Sequence, residues 1–196
     1  MVTDPGGVGM VPEAFVRALD GFEAVLGGVP ADRWLSPSPC QGWAAVDVAG
    51  HVTAGLLVIE MRAAGRPLPQ DDPDWREVAG ADPVESWRAV RARMMAELTP
   101  QALDRTIPLA FGDVTTLREW IEEYPLELLV HTWDLARATG QAAELDADLV
   151  RAALGTAERM VPRGREVGKV GPEVGVGDGV SEQARLLALF GRDPAA

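Results

Sequence analysis

Apolar residues return every three or four positions in separate stretches of this chain, and each stretch is bounded by residues that start or stop helices. Phe15, Leu19, Phe22 and Leu26 form the first stripe, in a segment from Pro12 to Leu26 that Gly27 and Gly28 end. Val48, Val52, Leu56 and Ile59 form the second, over about 43 to 64, with Gly65 behind it. Asp82-Pro83-Val84-Glu85 joins an N-cap, a proline at the first helical position and a glutamate placed to close a capping box, which predicts a third helix to about Leu98. A second box, Thr116 to Glu119, opens a long fourth helix that ends at Thr139-Gly140 and is bent or interrupted at Pro125. Asp146 caps a fifth helix through about Val161, and Ser181 a short last one over Glu182 to Phe190.

Such stripes are buried by packing helix on helix, so the expected fold is mostly all-α, with four main helices and shorter additions. The glycine-dense RGREVGKVGPEVGVGDG between the last two helices reads as a loop or short extended segments, and as a candidate lid over about 163–180. There is no strand series, internal repeat, phosphate loop or dinucleotide fingerprint.

At 196 residues and 47% hydrophobic content, the chain reads as one domain over 1–196, with 1–11 as a flexible N-terminus. A formal charge of −12 without any block of Lys or Arg argues against nucleic acid as a partner. No run approaches the ~20 apolar residues of a membrane span, and the N-terminus lacks the features of a signal peptide, so no membrane partner and a cytoplasmic location are expected. A single cysteine, Cys40, excludes an internal disulfide and a Cys-rich zinc cluster. Metal ligands, if any, come from elsewhere.

The chain has two histidines, and both lie in helical segments among apolar residues. Glu127 and His131 are four apart, so on a helix they present an oxygen and a nitrogen to a common point. His51 supplies a third donor from the second helix. Two histidines and one carboxylate make a zinc set that leaves a position open, and the same donors accept nickel, iron or manganese. The alternative is that a buried histidine is hydrogen-bonded core and an i, i+4 Glu–His pair an ordinary helix-surface contact; both readings stand at this level. Asp134 is placed either to accept an imidazole N–H as a support for the ligand set or to pair with Arg137. Trp43 and Trp133 are candidates to wall a pocket or the core. Cys40, ahead of the second helix, reads as a small buried residue in a turn.

Two of these stretches resemble a known family. SPCQGWAAVDVAGHV is similar to the first signature of the DinB-like, mycothiol-dependent maleylpyruvate isomerase-type proteins of actinobacteria, where a Pro-Cys-x-Gly-Trp turn leads into a helix with a metal-binding histidine, here His51. ELLVHTWDLARATGQ resembles the second, whose glutamate and histidine fall on Glu127 and His131, and ARLLALFGRDP resembles the ending of the smaller members. The resemblance implies a DinB-like four-helix bundle with a divalent metal, usually zinc, between the helices, and a low-molecular-weight thiol such as mycothiol as co-substrate. After Gly-Trp the chain reads Ala-Ala-Val-Asp where the family has a Thr-Val-Arg-Asp-like run, so a basic residue is missing. The length is also short for the additional C-terminal domain of the full isomerase. Maleylpyruvate is therefore not assigned as substrate.

These readings converge on a divalent-metal-dependent enzyme that uses a low-molecular-weight thiol to transfer to, or isomerise, a small electrophilic substrate. The rivals are a metal-dependent hydrolase, for which Glu123 is the candidate base, and a non-catalytic small-molecule-binding or interaction protein whose metal site is structural or vestigial. Monomer and homodimer are both open.

Overall fold

Every predicted stripe becomes the buried face of a helix. The computed structural model describes residues 10–109 and 113–195. In chain order the elements are α1 (Glu13–Gly27), α2 (Ala45–Ala63), the short α3 (Trp75–Ala79), α4 (Pro83–Glu97), the single turn α5 (Pro100–Leu103), β1 (Thr106–Pro108), β2 (Val114–Thr116), α6 (Leu117–Glu123), α7 (Pro125–Thr139), α8 (Ala147–Glu166) and α9 (Glu182–Leu189). Helices α1, α2, α4 and α7 form the four-helix core: α2 packs between α4 and α7, and α1 closes the ring against the same two. The architecture is the all-α, DinB-like one expected. None of the described helices is long and apolar enough to cross a membrane.

Burial outweighs end effects in holding this core. Phe15, Leu19, Phe22 and Leu26 on α1 are fully buried, and each such side chain withdrawn from water contributes about 1.5–3 kcal/mol. The N-caps supply about 1 kcal/mol apiece and fix where helices begin: Asp82 accepts the N–H groups of Val84 and Glu85 at 3.1 Å each, and Thr116 and Glu119 close their box reciprocally. Trp87 of α4 packs on Phe22 with ring centroids 4.7 Å apart and donates its indole N–H to Glu23. Helix α2 is buried nearly all round, and Gly50 explains how α3 comes so close to it, since a Cβ there would sit 1.8 Å from the Trp75 carbonyl oxygen.

The fourth helix is interrupted at Tyr124-Pro125 into α6 and α7, as expected, because proline has no N–H to continue the ladder. Two features differ from expectation. A two-stranded antiparallel hairpin, with Ile107 opposite Thr115, precedes α6. Helix α8 continues past Val161 and through Pro162 to Glu166. It does so because Ala153, Ala157 and Val161 carry one buried stripe to its end, where Arg165 donates to the Gly171 and Leu189 carbonyls. The first four residues of the glycine-dense stretch are therefore helical. The remainder is tied to α8 and α9 through Lys169 and Val170 N–H to the Gly164 carbonyl and Val174 N–H to the Ala188 carbonyl. Of the N-terminal segment expected to be flexible, residues 1–9 lie outside the described residues, and Val11 packs against the core.

Candidate metal centre

The α2–α7 contact brings His51, Glu127 and His131 together. Pro125 starts α7 at a position that places Glu127 in its first turn and His131 one turn later on the same face. Glu127 Oε1 lies 2.9 Å from His51 Nε2 and 3.2 Å from His131 Nε2, and the three donor atoms lie within 4.8 Å of one another. Donors 2.0–2.2 Å from a tetrahedral zinc ion are about 3.3 Å apart, so a small outward shift of the carboxylate would admit a cation of that size. Among the described residues no fourth histidine, cysteine or carboxylate joins this group. His51, Glu127 and Trp43 keep partial exposure, whereas His131 is buried.

Behind His131 sits a second cluster. Its Nδ1–H donates to Asp134 Oδ2 at 3.0 Å, which turns Nε2 toward Glu127. Asp134 is fully buried, and the Arg192 guanidinium grips it as a fork, Nε to Oδ1 at 3.1 Å and Nη2 to Oδ2 at 2.7 Å. The Cys40 thiol donates to Asp134 Oδ2 at 3.1 Å, and Arg192 Nη2 lies 2.9 Å from its sulfur. By spacing alone Cys40, His131 and Asp134 also make a metal-binding group. Arg192 decides between the two sets: the second already contains its cation, so a divalent ion there would face a fixed positive charge at contact distance.

The other sequence candidates are placed unequally. Trp43 lies against both histidines, with ring centroids 4.8 Å from His51 and 6.1 Å from His131. Trp133 does not: it is buried under the Arg137 guanidinium and lines a separate depression of about 340 Å³ with Pro37, Pro39 and Arg192. Asp134 supports His131 and pairs with Arg192, not with Arg137. Cys40 is in a bend, as expected, but it is only partly buried and holds the specific contacts just given. Glu123 pairs with Arg159 at the surface, 3.2 Å away, and is exposed. Sequence reasoning missed Trp75, whose ring meets His51 edge-on at 5.0 Å, and Arg192. The tail Gly-Arg-Asp-Pro was the only signal for the latter. His51 Nδ1 has no hydrogen-bond partner among the described residues; its ring is oriented by the two tryptophans instead.

The charges follow from this packing. Burial works to raise the Glu127 carboxyl pKa, but the charge and hydrogen bond of His131, then of His51, outweigh it and hold it well below the usual range. Burial works to lower the His131 pKa, and the Glu127 charge with the hydrogen bonds His131 makes to Asp134, Cys40 and Glu127 overcomes it, so the imidazole pKa is raised well above its ordinary value. Asp134, buried yet paired with His131 and Arg192, is pulled down to about 2. The raised pKa favours the imidazolium form of His131 in metal-free protein, and a metal ligand must be neutral. Metal binding at pH 7 should release about one proton per site, and the apparent affinity should rise about tenfold per pH unit until the metal-free pKa of His131 is passed. Titration calorimetry in buffers of different ionisation enthalpy measures the release; none at neutral pH would mean that Nε2 of His131 is not a ligand.

Residues 15–136 match the family described as the mycothiol maleylpyruvate isomerase N-terminal domain. The chain belongs to that family. The match contains His51, Glu127, His131 and Asp134 and stops before Arg192. An uncharacterized protein of Mycobacterium tuberculosis strain H37Rv is 34% identical over 157 residues, 80% of this chain and 82% of that protein. A second uncharacterized protein of the same strain is 28% identical over 149 residues, 66% of this chain and 58% of that protein. No solved structure matches.

Proposed function

We propose that this family member is a divalent-cation-dependent enzyme, with zinc the first candidate, that uses a low-molecular-weight thiol of the mycothiol type for transfer to, or isomerisation of, a small electrophile. The observation that carries the reading is the convergence of two imidazole Nε2 atoms and one carboxylate oxygen at a partly open position, with three donors and not four among the described residues. Three-donor sites are the ones that leave room for a reactant. A cation held by His51, Glu127 and His131 would bring a bound thiol, whose free pKa is ~8.5, to its nucleophilic thiolate form at neutral pH.

The chain's own residues prepare the place. Glu127 offsets one positive charge, Asp134 keeps the His131 ring in one orientation, and Trp43 and Trp75 pack on the His51 ring. Hydrolysis would need a base near a bound water, and the pairing of Glu123 with Arg159 removes the candidate named from sequence.

Cobalt-substituted protein tests the reading. Addition of mycothiol should produce a sulfur-to-metal charge-transfer band that is absent before addition and absent in His51→Ala. A metal-loaded protein that gains no such band would rule out the thiol role and leave the hydrolytic and non-catalytic readings.

A further inference from the structure

Tyr124, the chain's only tyrosine, stands at the junction of α6 and α7, one turn before Glu127. Its ring is held edge-on by Phe15 at 5.9 Å and by Trp120 at 5.5 Å, and Trp120 is backed by the Arg62 guanidinium at 4.8 Å. The hydroxyl reaches across to α2. A Cβ on Gly55 would lie 2.0 Å from the hydroxyl oxygen and 3.3 Å from the ring carbon that bears it. Gly55 follows His51 by one helical turn, so the two are on the same face of α2. His51, Gly55, Tyr124 and Glu127 all keep partial exposure, while Val52, Leu56, Leu126 and Leu128 beside them are buried. The Gly55–Tyr124 contact thus lies one helical turn from the His51–Glu127 contact on both elements, and all four positions are partly exposed.

The hydroxyl makes no hydrogen bond among the described residues and is not one of the enclosed unpaired polar atoms, so its oxygen is open to a ligand. The missing side chain at Gly55 is what makes room for it. Burial first, and the Glu127 charge second, raise its pKa, so the group remains a proton-bearing donor. A hydrogen-bond donor and a cation that reached one carbonyl oxygen would both draw electron density from it, the atom that gains charge when a nucleophile adds to a carbonyl-conjugated carbon.

We propose that Tyr124 is the contact for the second reactant: its hydroxyl donates a hydrogen bond to an oxygen of a carbonyl-bearing substrate held beside His51, Glu127 and His131. This assignment rests on the metal-dependent reading above.

The test uses two probes on zinc-loaded protein: acetohydroxamate, which brings a carbonyl oxygen to the cation, and ethanethiol, which brings none. Tyr124→Phe should bind acetohydroxamate about tenfold more weakly, the loss expected for one hydrogen bond, with zinc content and ethanethiol affinity unchanged. Gly55→Ala, whose methyl group would displace the hydroxyl while leaving the ring in the chain, should show the same selective loss. With the phenolic carbon isotopically labelled, the single tyrosine resonance of the wild type should shift when acetohydroxamate binds. Equal acetohydroxamate affinity in wild type and Tyr124→Phe, or equal weakening of both probes, would overturn the assignment and leave the metal centre standing. Failure of the wild type to take up zinc would remove the metal reading, and this assignment with it.

Discussion

Zinc-reconstituted wild-type protein should hold about one metal equivalent per chain, and His131→Ala should hold less than about a tenth of that, measured by elemental mass spectrometry after desalting without chelator. The effect is large because the substitution removes a donor and takes from two carboxylates the imidazole they shared, Glu127 at Nε2 and Asp134 at Nδ1. That variant alone does not separate the two metal-binding groups, since His131 belongs to both. His51→Ala and Cys40→Ser do. If the ion sits between α2 and α7, the first loses it and the second keeps it. The reverse would place the ion beside Asp134 and Cys40 and require Arg192 to leave. Little metal in the wild type, after reconstitution with several divalent ions, would mean that Glu127 and the histidines are hydrogen-bonded core.

What could be read from sequence was local. The four main helices were legible because stripe and cap fall within one segment, and Glu127 and His131 because an i, i+4 pair needs only one helix to meet. The hairpin was not, because three-residue strands such as Thr106–Pro108 are too short to show alternation. The Asp134–Arg192 fork and the Cys40 contacts join residues 58, 94 and 152 positions apart, and no local pattern announces them. Trp75 comes in a run of aspartates and prolines, and its approach to His51 depends on what Gly50 lacks. The placement of Trp133 was within reach: residues two apart on a helix diverge by about 200°, so Trp133 and His131 cannot share a face. Trp133 is buried and lines a depression, in keeping with a wall of the core or of a pocket, and helical phase sets that depression apart from the histidines.

Asp134→Ala should be the most damaging single change near the site that leaves all three donors in place. Asp134 is fully buried and accepts from His131, Cys40 and both ends of the Arg192 fork. Its removal leaves the Arg192 guanidinium, 14% exposed, without a counter-charge. Breaking a buried pair in this way costs about 3–5 kcal/mol, or roughly 10 °C in Tm for a chain of this size, read by thermal unfolding of the metal-free protein. The zinc affinity of the variant should also fall about 10- to 100-fold, because His131 loses the acceptor that fixes its ring. Asp134 has a native pKa of about 2, below its ordinary value, so its contribution is complete above about pH 4 and disappears as pH falls through about 2. Wild type and variant should therefore differ most above pH 4 and converge in acid. The double variant Asp134→Ala/Arg192→Ala should regain part of the lost stability, since it buries no unpaired charge, but none of the lost zinc affinity, since His131 still lacks its acceptor. Recovery of stability without recovery of affinity would show that this carboxylate serves two purposes, one electrostatic toward Arg192 and one orienting toward His131; full recovery of both would reduce it to a partner for Arg192 alone.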